Sequence, residues 1–170
     1  KGVNEKKREV EFYAAAFGNV DRVGDIIQKG AFSKTIMERG PQAKGDIAHL
    51  YQHNPEQPMG KVLEMAEDDY GLGVLSYISK AEEDKLIKYK EGILKSHSIG
   101  FKTMDSEDRE DGVRVIKDIM LFEVSTVTFP ANELARVKKF SLDEIEKLIK
   151  LADNKKELIL YANNLKTLLG

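Results

Sequence analysis

The side chains that titrate near neutral pH are three histidines, at positions 49, 53 and 97. His53 follows a predicted strand and enters a loop that contains two prolines, which restrict the backbone. A rigid loop suits a side chain that must be held in a fixed orientation, so we predict His53 as a candidate general base. A half-exposed structural histidine at a strand end is the competing interpretation.

Ser98 is the candidate nucleophile, and Gly100 two residues later leaves room for a close backbone approach. A serine hydroxyl becomes a good nucleophile only beside a base. In a strand His97 points to the face opposite Ser98, so His53 is the better base. A dyad with Lys102, on the same strand face as Ser98, is an alternative that requires a buried, neutral lysine.

Glu123 is a lone charge in a run of apolar and hydroxyl-bearing residues, 122–132. Strand alternation places Glu123, Ser125 and Val127 on one face. A carboxylate there can accept the far N–H of an imidazole and stabilise the imidazolium that forms during attack. An exposed strand residue is the other interpretation, and spacing alone does not choose between the two.

A metal site is a weaker interpretation of the same residues. His49 and His53 can share a strand face, but two imidazoles without a carboxylate pattern do not make a site. The chain has no cysteine, which excludes disulfides, cysteine-based zinc sites and thiol nucleophiles. We therefore predict no metal and no cofactor.

The composition fits one globular domain. Of 170 residues, 41% are hydrophobic and 33% are charged, which excludes a disordered chain, and the net charge of −2 argues against nucleic-acid binding. No apolar run approaches the 18 residues of a membrane helix and no signal peptide opens the chain. We expect a reducing, cytosol-like compartment, and the first residue, Lys1, suggests that an upstream segment has been removed.

These candidate residues lie in a strand-rich region, residues 1–140, that we predict to be a single domain. Period-2 patterns and turn residues predict strands at 9–17, 46–52, 60–67, 72–79, 95–103, 112–121 and 122–129. Short helices are predicted at 31–39 and 79–89, the second opened by a capping box of Ser79 and Glu82. Residues 18–25 and the acidic segment 105–111 are predicted loops.

The tail, residues 141–170, differs from the rest of the chain. Ser141 and Glu144 form a capping box, and an apolar stripe at helical spacing begins at Leu142. We predict a C-terminal amphipathic helical segment, which packs on its own domain or, in the second interpretation, on a partner helix.

Four segments in order give the chain a family resemblance. It resembles the prohead (procapsid) maturation proteases of tailed bacteriophages, serine peptidases related in fold to the herpesvirus assembly proteases. The matching segments contain FGNVD through GAF at 17–32, HNP through PMG at 53–60, SIGF at 98–101 and EVS through PAN at 123–132.

The resemblance implies roles for individual residues. Ser98 is then the nucleophile, His53 the general base and Glu123 the third member, where the herpesvirus relatives have a histidine. The family also implies that the backbone near Ala131 and Asn132 binds the oxyanion. His49 and His97 depart from the family pattern, which has apolar residues there, and we assign them no catalytic role.

The implied fold is α+β: a mostly antiparallel β-barrel of about seven strands, herpesvirus-protease-like, flanked by short helices. The implied function is a serine endopeptidase that cleaves itself and segments of the scaffold and major capsid protein. Its place is the interior of the phage procapsid in the bacterial host cytoplasm, with no nucleic acid or membrane as partner, and a homodimer is a candidate assembly. The alternative is a non-catalytic capsid-assembly or scaffolding protein with the same fold.

Overall fold

The structure is a computed structural model, and it describes residues 2–137. The predicted helical segment 141–170 lies outside the described residues. Within them the fold is mostly β-strand with two short α-helices. The elements in chain order are β1 (Val3–Asn4), β2 (Glu9–Ala16), β3 (Asp25–Ile27), α1 (Ser33–Arg39), β4 (Ala48–Tyr51), β5 (Asn54–Glu67), β6 (Gly71–Ile78), a 3₁₀ turn (Lys80–Glu82), α2 (Glu83–Lys90), β7 (Ser96–Asp108) and β8 (Arg114–Val127).

One sheet contains all eight strands, and β8 is the strand with the most neighbours. The sheet runs β1-β2-β6-β5-β4-β8, with antiparallel pairs up to β4. β8 pairs in parallel with β4 and, nearer its start, with β3, while β7 pairs antiparallel with it. Residues of β4 and β7 are therefore brought to either side of the same stretch of β8.

The core forms because the strands alternate apolar and polar residues. In β2 the alternate residues Val10 and Phe12 are fully buried, whereas their neighbours are partly exposed. Each such side chain removed from water stabilises the fold by about 1.5–3 kcal/mol. Phe32, the residue before α1, and Ile36 within the helix pack against the same core. The helix is followed by Gly40, whose N–H donates to the carbonyl of Ile36 at 2.9 Å.

Several boundaries differ from those predicted from the sequence. The predicted loop 18–25 ends in a strand, β3, because Asp25–Ile27 finds a parallel partner in β8. The predicted strands 112–121 and 122–129 are one continuous strand, Arg114–Val127. The acidic segment is not a loop throughout, because β7 continues to Asp108 and stays paired with β8.

The predicted capping box before the second helix does not form. The Ser79 hydroxyl accepts the N–H of Ala81 at 3.3 Å, and the Glu82 N–H bonds the Ser79 carbonyl. The chain consequently makes a 3₁₀ turn first, and α2 begins only at Glu83. Gly92 follows the helix with φ of +75°, a backbone conformation that glycine adopts without strain.

The sheet does not close into a barrel by strand pairing. At the gap between β2 and β7, Val137 makes an isolated bridge to Phe12 on one side and Arg136 makes one to Ser96 on the other. The N–H of His97 donates to the carbonyl of Ala135 at 2.8 Å. The mostly β architecture with few helices is confirmed, and closure of the barrel stays a prediction. In residues 2–137, no helix is long and apolar enough to cross a membrane.

Candidate active site

His53 lies in a two-residue turn between β4 and β5, where Tyr51 pairs with Asn54. Gln52 and His53 have φ angles of +55° and +58°. Positive φ at both central residues is the type I′ hairpin geometry, which usually selects Asn-Gly. For residues that carry a Cβ, the left-handed conformation costs roughly 1–2 kcal/mol each. Other contacts must therefore hold this turn.

The end of β8 supplies those contacts. The Gln52 N–H donates to the carbonyl of Thr126 at 2.9 Å, and its side-chain amide donates to the Thr128 hydroxyl at 2.7 Å. The Thr128 N–H in turn donates to the Gln52 side-chain oxygen at 3.3 Å. The His53 N–H donates to the Ser125 hydroxyl oxygen at 3.2 Å. The turn is thus held by two residues of β8, Ser125 and Thr126, and by Thr128, which follows the strand.

His53 and Glu123 are in direct contact, as the sequence analysis predicts for a catalytic pair. The His53 Nδ1 lies 2.6 Å from Oε1 of Glu123. This hydrogen bond raises the pKa of His53, partial burial opposes the rise, and the charge of Glu123 adds to it. The His53 side chain is 44% exposed and that of Glu123 is 11% exposed. The imidazole can therefore meet a substrate while the carboxylate stays behind it.

Gly100 makes room for the Glu123 side chain. The two residues face each other across β7 and β8. A Cβ at position 100 would lie 2.2 Å from Oε1 of Glu123, and 2.9 Å from its carboxyl carbon. The group that comes close to Gly100 is therefore the Glu123 carboxylate, which packs against the backbone of β7.

Ser98 lies on the strand next to this pair. It pairs across the sheet with Ser125, and directly opposed residues project to the same face. Ser98 is 6% exposed and lines a cavity of about 50 Å³. Among the described residues Ser98 makes no hydrogen bond to His53. Catalytic contacts of this kind often tighten only when substrate is bound.

Ala131 and Asn132 line the same cavity as Ser98. The Asn132 side chain is anchored, since its amide donates to the carbonyl of Ala16 at 3.0 Å and its oxygen accepts the Leu134 N–H at 3.1 Å. Within residues 2–137, the main-chain N–H groups of Ala131 and Asn132 donate to no partner. Two backbone donors are thus available beside Ser98.

His49 belongs to the core. Its Nδ1 lies 2.8 Å from the Ser76 hydroxyl and its Nε2 lies 3.0 Å from that of Thr126, and all three residues are fully buried. Burial lowers the pKa of His49 to about 3. This pair also combines a serine with a histidine, but no substrate can reach it, and Ser76 donates to the carbonyl of Lys61.

His97 extends the same buried polar chain. Its Nε2 lies 2.9 Å from the Tyr89 hydroxyl, which also contacts the Thr126 hydroxyl. Its ring stacks on Phe12 with centroids 3.7 Å apart, and burial lowers its pKa well below the usual value. Both extra histidines are thus held in the interior, and no group of three His, Cys, Asp or Glu in the described part of the chain is arranged to hold a metal ion.

Lys102 is exposed and therefore lacks the burial that a neutral lysine base requires. The residues that the sequence analysis left without a role are Ser125, Gln52 and Thr128. Alternation placed Ser125 on the face of Glu123, which was the available signal. No sequence signal indicated the two hydrogen bonds between Gln52 and Thr128, because these residues are far apart in the chain.

A histidine–carboxylate pair beside a serine on one sheet face has the side chains of a serine hydrolase. The sequence model of the family described as caudovirus prohead serine protease matches residues 1–148, and the chain belongs to this family. It is 31% identical over 138 residues to the prohead protease of Escherichia phage T5, covering 78% of this chain and 65% of that protein. It is 34% identical over 143 residues to the prohead protease of Enterobacteria phage HK97, covering 80% and 62%. The chain thus spans less than two thirds of the length of these curated relatives.

The fold is also similar to a solved structure. The bacteriophage T4 capsid assembly protease, gp21, superposes with a TM-score of 0.57, covering 72% of this chain and 82% of that one. The sequences are 14% identical, so this likeness concerns the fold alone.

Proposed function

We propose that this chain is a serine endopeptidase in which Ser98 is the nucleophile, His53 the general base and Glu123 the residue that orients His53. The observation that carries the proposal is the 2.6 Å contact between His53 and Glu123. Glu123 lies on β8, the strand that pairs with β7 beside Ser98. Membership of the serine protease family supports the same chemistry.

The chemistry follows from the position of the protons. Because Nδ1–H of His53 donates to Glu123, Nε2 is the basic nitrogen and takes the proton of Ser98. The Ser98 oxygen bonds to the carbonyl carbon of the scissile peptide, and the oxyanion accepts hydrogen bonds from Ala131 and Asn132. His53 then gives its proton to the leaving nitrogen as the C–N bond breaks. Water cleaves the acyl-enzyme by the same steps.

The proposed substrates are segments of the phage scaffold and major capsid protein, and the chain itself. The names of the relatives, two prohead proteases, support this choice. The proposed place of action is the interior of the procapsid in the bacterial host cytoplasm. A second copy of the chain, rather than nucleic acid or a membrane, is the proposed partner.

The proposed catalytic domain, residues 1–140, is a β-barrel. Its support is the pair of bridges by which Val137 and Arg136 contact β2 and β7 at the gap of the sheet. In a closed barrel, the cavity beside Ser98 lies next to this seam, since Ala14 and Ala15 of β2 line it too.

The test is to incubate the purified chain with the capsid protein of the same phage and to look for defined fragments. Ser98→Ala and His53→Ala should both abolish cleavage and leave the fold intact, since loss of either costs on the order of 10⁶ in rate in other serine proteases. Ser96→Ala, on the same strand, is the control that should remain active.

Three outcomes would contradict the proposal. Cleavage of the capsid protein by the Ser98→Ala variant would show that Ser98 is not the nucleophile. Loss of activity in Lys102→Ala, with activity kept in His53→Ala, supports the lysine dyad. A folded chain that binds capsid protein and cuts nothing supports the assembly role.

A further inference from the structure

Ser125 uses one hydroxyl group for two hydrogen bonds at the site. Its Oγ lies 2.5 Å from Oε2 of Glu123, the carboxylate oxygen that does not face His53. The same Oγ lies 3.2 Å from the main-chain nitrogen of His53. Ser125 is fully buried, so water does not compete for either contact.

The direction of these bonds is fixed by chemistry. An ionised carboxylate only accepts, so the Ser125 hydroxyl donates its single proton to Glu123. A lone pair of the same oxygen is then free to accept the His53 N–H. Together with the bond from Nδ1 of His53 to Glu123, these contacts close a ring that fixes His53 at both its backbone and its imidazole.

His53 needs this support because its backbone is strained. Gln52 and His53 both have positive φ, and neither of these two central positions holds the glycine or asparagine that this turn favours. Gln52 is held by Thr126 and Thr128, whereas Ser125 is the residue that holds the N–H of His53. A turn released at that point can shift the imidazole away from the carboxylate.

We propose that Ser125 is a positioning residue of the protease, which locks His53 and Glu123 into one geometry through its single hydroxyl group. The inference rests on the proposed function, since it assumes that His53 and Glu123 serve Ser98. It assigns Ser125 no contact with the substrate, because its hydroxyl proton is already committed to Glu123.

The experiment compares Ser125→Ala, Ser125→Thr and the control Ser96→Ala in the purified full chain. Ser125→Ala should lower kcat by about 100-fold with little change in KM, as expected for misplaced catalytic groups. Ser125→Thr keeps the hydroxyl and should restore most of the rate. Melting temperatures confirm that each variant is folded, and Ser96→Ala should behave as the unaltered chain.

A second measurement is independent of activity. In the unaltered chain the His53 amide, although in a turn, should be protected from hydrogen exchange, because it is bonded to a buried acceptor. In Ser125→Ala that protection should be lost while the Gln52 amide, bonded to Thr126, keeps its own. If the unaltered chain cuts no substrate, the proposed function fails, and this measurement still decides the role of Ser125.

Three results would overturn the inference. The first is an unprotected His53 amide in the unaltered chain. The second is an unchanged kcat in folded Ser125→Ala. The third is a loss in Ser125→Ala on the order of 10⁶ with full activity in Ser98→Ala, which would make Ser125 the nucleophile instead.

Discussion

The hydrogen bond between His53 and Glu123 sets the pH range in which His53 can act as a base. His53 must be neutral to take a proton, and its contact with Glu123 raises its pKa above the usual 6.5. Activity should therefore rise with pH, with a midpoint above 6.5. Glu123→Gln removes the charge, so the midpoint should move to lower pH and the maximum rate should fall by less than in Ser98→Ala. A pH profile of kcat/KM measures both effects, and an unmoved midpoint contradicts the role of Glu123.

Gly100 offers a second test at a single residue. The methyl group of Gly100→Ala would meet the end of the Glu123 side chain, which can swing away without disturbing the backbone. We expect an intact fold and a loss of activity of about 100-fold, because Glu123 is displaced from His53. Thr103→Ala, on the same strand, is the control for melting temperature and rate. An unchanged rate in folded Gly100→Ala would show that Glu123 need not lie against β7.

At the scale of elements, the turn between β4 and β5 depends on its clamp to β8. Gln52→Ala keeps the strained φ and removes both side-chain bonds to Thr128. The free energy of unfolding should fall by about 1–2 kcal/mol, at roughly 1 kcal/mol for each lost bond. Denaturant unfolding measures the change, with Gln57→Ala, an exposed glutamine of β5, as the control. Equal stability of the two variants would contradict the clamp.

The elements also show what could be predicted from the sequence. Alternation in β2 and the turn residues around β6 are local signals, so these strands were predicted nearly as observed. β3 was missed because three residues of strand depend on a parallel partner 89 positions away, Asp25 with Arg114. The same limit applies to the site. The candidates His53, Ser98 and Glu123 came from residue types and resemblance, whereas the φ values of Gln52 and His53 have no local signature.

At the scale of the molecule, the buried histidines make stability depend on pH. Folding lowers the pKa of His49 to about 3 and that of His97 well below 6.5. Between these pKa values and 6.5, His49 and His97 are therefore protonated in the unfolded chain and neutral in the folded chain. Stability is complete above pH 6.5 and is lost as pH falls towards 3, by on the order of 4 kcal/mol from His49 alone. Denaturant unfolding at pH 7.5 and pH 5 should show the loss, and equal values would contradict it.

The bond directions in this buried chain predict how one substitution behaves. Ser76 donates to a carbonyl, so it accepts from His49, whose Nε2 then accepts from Thr126. It follows that Thr126 accepts from Tyr89, and that the Tyr89 oxygen accepts from Nε2–H of His97.

His97→Leu should therefore reduce the loss of stability between pH 7.5 and pH 5. Its Nδ1 has no partner among the described residues, so the substitution removes an unpaired buried atom and leaves no donor unsatisfied. Unfolding at both pH values measures the slope. A slope as steep as that of the unaltered chain, or steeper, would contradict the lowered pKa of His97.

The dependence of the site on β8 has a consequence for the timing of synthesis. β8 carries Glu123 and Ser125, it pairs with Ser98 of β7, and its Ser125 hydroxyl accepts the N–H of His53. A nascent chain that has not yet emerged from the ribosome as far as residue 127 has His53 and Ser98 but lacks a complete β8, the strand that brings the two together. At roughly 5–20 residues per second, synthesis separates the appearance of His53 from that of β8 by several seconds. If Ser98, His53 and Glu123 act as proposed, the growing polypeptide cannot cut itself until β8 has been made, and a fragment that stops before Glu123 stays inactive.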